Sequence, residues 1–191
     1  MDCVVLDLET THLSAIGAGF TLCAVARPTH GESKVWRYDD WHCRPGHEQR
    51  MLRDLIDYLN GFDLWIGHNL ERFDFNFLKS RAYQLGLGFP CSPLTYDTLL
   101  AFKRVGYLTE RNYKGHPKAS LGHVADFLGL KQEKTSIFPR EHWQTVWGLG
   151  EERKLAMDNL VEHCVADVNM TEQVYWKLLK ADPVWGIRRK K

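Results

Sequence analysis

The sequence has no apolar run approaching the roughly 20 residues that a membrane-spanning helix needs. It opens straight into a strand pattern, with no basic stretch or cleavage site, so no secretory signal is expected. Cysteine is sparse: Cys3, Cys23, Cys43, Cys91 and Cys164 are odd in number, scattered and free of Cys-x-x-Cys spacing. That argues against a disulfide framework and fits a reducing, cytoplasmic setting. His42 and Cys43 adjoin, but no second ligand pair follows, which argues against structural zinc. There is no excess of charge either, with 25 basic against 24 acidic side chains and a formal net charge of +1. No overall field therefore announces a nucleic-acid binder. The exception is local: Arg188-Arg189-Lys190-Lys191 is either a solvated tail or an arm that attracts phosphate. Internal repeats, low-complexity segments and long linkers are also missing, so residues 1–182 are expected to form one domain, followed by a basic tail over 183–191.

What is present is the material of an ordinary globular core, 44% hydrophobic in 191 residues. Residues 2–8, 20–27 and 33–38 read as three strands with short connections, an antiparallel meander. Residues 47–60 carry Met51, Leu52, Leu55, Ile56 and Leu59 at helical spacing, stopped by Gly61. A short strand is predicted over 63–67, a helix over 71–85, a fifth strand over 94–96 and helices over 97–104, 119–128 and 151–180. Three antiparallel strands followed by β-α-β units predict an α/β fold, a mixed five-stranded sheet with helices on its faces. The interior stretch 105–118 is basic, aromatic and loop-like, and reads as a mobile flap.

Within this ordinary pattern some acids are out of place. Asp7 and Glu9 interrupt the apolar first strand two residues apart, so both leave the same face. Close carboxylates repel unless a cation lies between them, and hard divalent ions take such oxygens. Asp74 lies among Phe73, Phe75 and Phe77 near a helix start. A surface contact is the ordinary use of a histidine and an aspartate four apart on a helix. His163 and Asp167 have that spacing, yet small and apolar residues surround them: Cys164, Val165, Ala166 and Val168.

The three segments, DLETT, HNLERFDFNFL and EHCVADV, resemble in order and separation the three motifs of the DEDD (DnaQ-like) 3′→5′ exonucleases. The resemblance runs from about residue 3 to 180 and implies a ribonuclease H-like fold. It further implies two divalent ions, Mg²⁺ or Mn²⁺, held by Asp7, Glu9, Asp74 and Asp167, with His163 orienting the attacking water or taking its proton. The implied product is a nucleoside 5′-monophosphate. Asp97-Thr98, Ser120-Leu121 with Leu128-Gly129-Leu130, and Lys134-Thr135 resemble further parts of the family and read as scaffold. Two departures stand out. His163 lies four residues before Asp167, the spacing of the family's Tyr branch, as in B-family polymerases, with the residue type of the His branch. Positions one apart on a helix point about 100° apart. The usual glycine after ETT is His12.

The expected partner is single-stranded nucleic acid at its 3′ end, DNA ahead of RNA. Candidate contacts are Thr10, Thr11, His68 and Asn69 beside the acids, Phe73, Phe75, Tyr107 and Tyr113 for stacking, and Arg104, Arg111, Lys114 and Lys118 for phosphate. For Phe73 and Phe75 core packing is the competing use. A catalytically weak nucleic-acid-binding module that keeps the fold, or an exoribonuclease or oligoribonuclease, are the alternatives. Any polymerase or repair partner would act in trans, and no residue identifies it.

Overall fold

The computed structural model describes residues 1–17, 19–41, 47–90, 93–105, 118–131, 150–181 and 187–189. Its sheet is mixed. Strands β1 (Cys3–Thr10), β2 (Thr21–Pro28) and β3 (Lys34–Arg37) form the antiparallel meander. Helix α1 (His47–Leu59) leads to β4 (Leu64–Gly67), which runs parallel to β1. Helix α2 (Asp74–Gln84) leads to β5 (Leu94–Asp97), parallel to β4. Helices α3 (Thr98–Val105), α4 (Leu121–Phe127) and the 31-residue α5 (Glu151–Ala181) follow.

The five expected strands are present in the order β3-β2-β1-β4-β5, and a sixth extends the sheet. This is β6 (Ile187–Arg189), antiparallel to β5 with Tyr96 opposite Ile187 and Leu94 opposite Arg189. The six-stranded sheet amends the five-stranded expectation, and these three residues of the stretch read as a basic tail are a strand. The physical reason is the free edge of β5, whose backbone groups need partners whatever side chains the partner carries.

The two faces of the sheet are buried by different helices. Val4, Leu6 and Leu8 point to the side covered by α1 and α2, where they meet Met51, Leu52, Leu55, Leu78 and Ala82. Val5, with Cys23 and Val25 of β2, points to the side covered by α5, through Met157, Leu160, Cys164, Val168 and Leu178. Each such aliphatic side chain contributes about 1.5–3 kcal/mol on burial. The strand period of two therefore decides where the acids go: Asp7 and Glu9 share the parity of Val5, which faces α5. Among the described residues no helix is long and apolar enough to cross a membrane.

Candidate active site

The parallel strands β1, β4 and β5 run to carboxyl ends at Thr10, Gly67 and Asp97, and the candidate residues gather on this side of the sheet. Strand β1 pairs with β4 only from Cys3 to Val5, then continues beyond it while still paired with β2. Asp7 lies opposite Val25 and Glu9 opposite Cys23, and the register slips between Glu9 and Thr10. Such irregularities re-aim a strand's last side chains.

Beyond Val5 the β4 side of β1 is open, and Asp74 takes it. The backbone N–H of Leu8 donates to Asp74 Oδ1 at 3.1 Å, a bond that the departing strand no longer supplies. Asp74 is the first residue of α2 and is 2% exposed. The helix expected from residue 71 begins only here, because the chain first makes a tight detour. At Gly67 an added Cβ would lie 2.9 Å from Leu70 Cβ and 3.1 Å from Leu6 O, so only glycine fits. Asn69 follows with φ of 64°. Asp97 anchors the detour. Its Oδ1 accepts from the N–H groups of Asn69, Leu99 and Leu100, and its Oδ2 from that of Glu71. One buried carboxylate thus caps α3 and sets the loop that delivers Asp74.

Helix α5 supplies the third side. His163 Nε2 lies 3.7 Å from Asp167 Oδ2, and both side chains are 38% exposed, so the pair faces the rim while its helix packs on the sheet. Between them in sequence, Cys164 is fully buried. Its Sγ lies 3.2 Å from Asp7 Oδ2 and 3.4 Å from the Asp7 carbonyl oxygen, which joins α5 to β1 at the site.

All four carboxyl groups are raised above their ordinary values. Desolvation, then the charge of Asp167, holds the Asp7 carboxyl at about 7. Glu9 is pushed well above the usual carboxylate range by desolvation and then by Asp7, Asp167 and Asp74. Asp74 is raised well above that range by burial and then by Asp7. Desolvation also raises Asp167, while His163 opposes the rise. Among the described residues no lysine or arginine forms an ion pair with any of the four. Nor, among those residues, do three His, Cys, Asp or Glu side chains converge closely enough to grip an ion as they stand. Burial is the larger cause of these raised values, and at Asp7, Glu9 and Asp74 the neighbouring carboxylates add to it. Hard oxygen donors with no lysine or arginine to neutralise them are the donor set that divalent cations such as Mg²⁺ and Mn²⁺ fit.

The other candidates divide. Thr10 is buried and its hydroxyl donates to His12 O at 2.9 Å, while Thr11 Oγ1 accepts from Phe20 N at 3.0 Å; both brace the loop after β1. His12, in place of the usual glycine, is exposed and accepts at Nδ1 from Ser14 N at 3.1 Å. His68 is a pin: Nε2 donates to Ala119 O and Nδ1 meets the Thr98 hydroxyl, both at 2.9 Å, and burial holds its pKa down. Asn69 contributes its backbone N–H to Asp97. Phe73 is half-buried against Phe77. Phe75 does not reach the site, being 3% exposed and packed on Trp65 and Phe89 in the α1–α2 core, so as a base-stacking residue it is corrected to a core residue. Arg104 is half-buried at the end of α3, and Lys118 is exposed. Arg111, Lys114, Tyr107, Tyr113, residues 106–117 of the flap and Lys134-Thr135 lie outside the described residues. The scaffold reading of Ser120 holds, since its side chain caps α4 by accepting from His123 N. Sequence reasoning passed over the contact of Cys164 with Asp7. The only signal was a small polarizable residue inside the third acidic segment.

A family model of the RNase H superfamily matches residues 4–179. The chain belongs to the RNase H superfamily. No curated protein matches it. Among solved structures, this RNase H-like domain is similar to the family B DNA polymerase from the hyperthermophilic archaeon Pyrobaculum calidifontis, at 18% identity and a TM-score of 0.63, over 95% of this chain and 24% of that one. E. coli Exonuclease I in complex with a 5cy-dA13 oligonucleotide is similar at 17% identity and a TM-score of 0.53, over 95% of this chain and 41% of that one. A product-bound exonuclease I reaches 0.57 at 17% identity, over 94% and 43%. The chain spans less than half the length of these proteins, and the likeness is one of fold. It is the fold of DnaQ-like exonuclease domains.

Proposed function

We propose that this RNase H-like domain is a metal-dependent 3′→5′ exonuclease acting on single-stranded ends, DNA in preference to RNA, and releasing nucleoside 5′-monophosphates. The observation that supports this most is the meeting of Asp7, Glu9, Asp74 and Asp167 at the end of β1, desolvated, each raised in pKa and without a lysine or arginine partner among the described residues. Charge taken out of water without a compensating partner costs several kcal/mol, which cations at this place would offset. Two divalent ions held by these four residues would supply charge neutralisation at the scissile phosphate and an acidified water.

The chain's own residues supply the rest. Asp74, locked by Leu8 N–H, and Asp7 and Glu9, set by the strand, hold fixed negative charge where cations and phosphate must assemble. His163, at the rim and beside Asp167, accepts the proton of the attacking water at a ring nitrogen. The water oxygen bonds to phosphorus, the P–O3′ bond breaks, and the leaving 3′-oxygen is protonated from solvent. Phe73 and the part-exposed Thr11, with Arg104, Arg111 and Lys114, are the proposed substrate contacts. Residues 1–182 would act as one domain, with any polymerase or repair partner in trans.

The test uses matched DNA and RNA oligonucleotides labelled at the 3′-terminal nucleotide. Labelled 5′-mononucleotide should be the first product, faster from DNA, and absent with EDTA. Label released first as longer fragments would contradict exonucleolytic action from the 3′ end. Binding without any cleavage would favour the binding-module alternative, which the displaced His163 spacing motivates.

A further inference from the structure

We propose that Cys164 is a positioning residue: its thiol engages one carboxylate oxygen of Asp7 and leaves the other to the cation site. The inference rests on the reading of Asp7 as a cation ligand. Cys164 is buried to 0% exposure in α5, with Sγ 3.2 Å from Asp7 Oδ2 and 3.4 Å from Asp7 O. The thiol has one proton and three acceptors within reach, two on Asp7 and the sulfur of Cys23, and the charged carboxylate oxygen is the strongest of them. A thiolate at this place would set a second buried negative charge against Asp7, so only the protonated form, a donor, suits the contact. With Oδ2 held, the carboxyl group cannot turn about its terminal bond without abandoning its partner, and Oδ1 is the oxygen presented.

The surroundings keep the thiol where it is. Cys23 contacts Cys164 from β2, directly opposite Glu9 in the strand register. Cys164 packs in the core between β1 and β2 and the α5 residues Leu160 and Val168. A donor on the sheet side and a cation on the open side would then hold Asp7 from two directions, as the outer partners of metal ligands do. Asp74 is held by the same logic, through the N–H of Leu8.

The experiment compares the full chain with Cys164→Ser, Cys164→Ala and Cys164→Val. Mn²⁺ binding is measured by calorimetry, and the Mn²⁺ dependence of cleavage is measured alongside. Serine restores a donor; alanine and valine do not, and they bracket the cysteine in volume. Loss of an outer partner typically costs about 10–100-fold in metal affinity. Both donor-less variants should therefore bind Mn²⁺ about tenfold or more weakly, with the Mn²⁺ half-saturation of cleavage raised to match and KM for the oligonucleotide unchanged. Cys164→Ser should stay within about threefold of the parent, below that same range. A packing role alone would make serine and alanine fall together, and that result overturns the proposal. So does unchanged Mn²⁺ affinity in alanine and valine. If the parent chain itself binds no Mn²⁺, the cation reading of Asp7 fails, and this inference with it.

Discussion

Replacing Asp7 by asparagine should make the metal-free protein more stable, in a way that depends on pH. Asp7 is held at about 7 by desolvation and by Asp167. In an unfolded chain an aspartate titrates near about 4. Between about pH 4 and about pH 7 the folded state binds more protons at this site than the unfolded state, so stability falls as pH rises through that window. The loss is complete above the folded value and absent below the unfolded one. Three units at about 1.4 kcal/mol each give about 4 kcal/mol, of which burial sets the larger part and the charge of Asp167 the next. Asparagine keeps the shape and an acceptor for Cys164, and it offers Asp167 and Glu9 a donor instead of a charge. Urea unfolding in EDTA should therefore show Asp7→Asn about 2–4 kcal/mol more stable than the parent at about pH 8, and equal to it at about pH 4. With a urea slope of about 2 kcal/mol/M, the midpoint moves up by about 1–2 M. Saturating Mg²⁺ should narrow or reverse the gap, since the parent gains about 2.7 kcal/mol for each site filled to a hundredfold excess over Kd. An Asp7→Asn protein less stable than the parent in EDTA at about pH 8 would refute the reasoning and make Asp7 a structural residue.

Three other outcomes are expected. His163→Ala should lower kcat by about 10²–10³ with the unfolding midpoint unchanged, since the side chain stands at the rim and the loss is that of a proton acceptor. Asp97→Ala strands four backbone N–H groups and should cost on the order of 3 kcal/mol by urea unfolding, with a drop in activity as the loop carrying Asp74 relaxes. Phe75→Ala should cost about 3–5 kcal/mol of stability, while Phe73→Ala should cost less than about 2 and act instead on KM for the oligonucleotide.

Much of the site was legible because strand geometry is simple. A period of two places Asp7 and Glu9 on one face, and the sheet confirms the face by its parity with Val5. Phe73 precedes the first turn of α2 and Phe75 lies within it, so the two leave the backbone in different directions. Asp74 was harder, because its position depends on Gly67, on the left-handed Asn69 and on a carboxylate 23 residues away in Asp97, none of which has a periodicity. The scaffold role of Asp97 was visible as a resemblance, but its four backbone bonds were not. The sixth strand was hidden by its composition. Arg188 and Arg189 read as charge, whereas pairing with β5 uses backbone groups that every residue carries. Cys164 was passed over because a buried cysteine usually acts as a small apolar residue.

The central claim is that the acids of β1, α2 and α5 hold cations for phosphodiester hydrolysis. The most direct measurement is cleavage of a 5′-labelled single-stranded DNA in Mg²⁺, Mn²⁺ or EDTA, beside Asp7→Asn. The expected result is a ladder shortening from the 3′ end, abolished by EDTA and by the substitution. A ladder that survives in Asp7→Asn, or no cleavage by the parent in either metal, would contradict it.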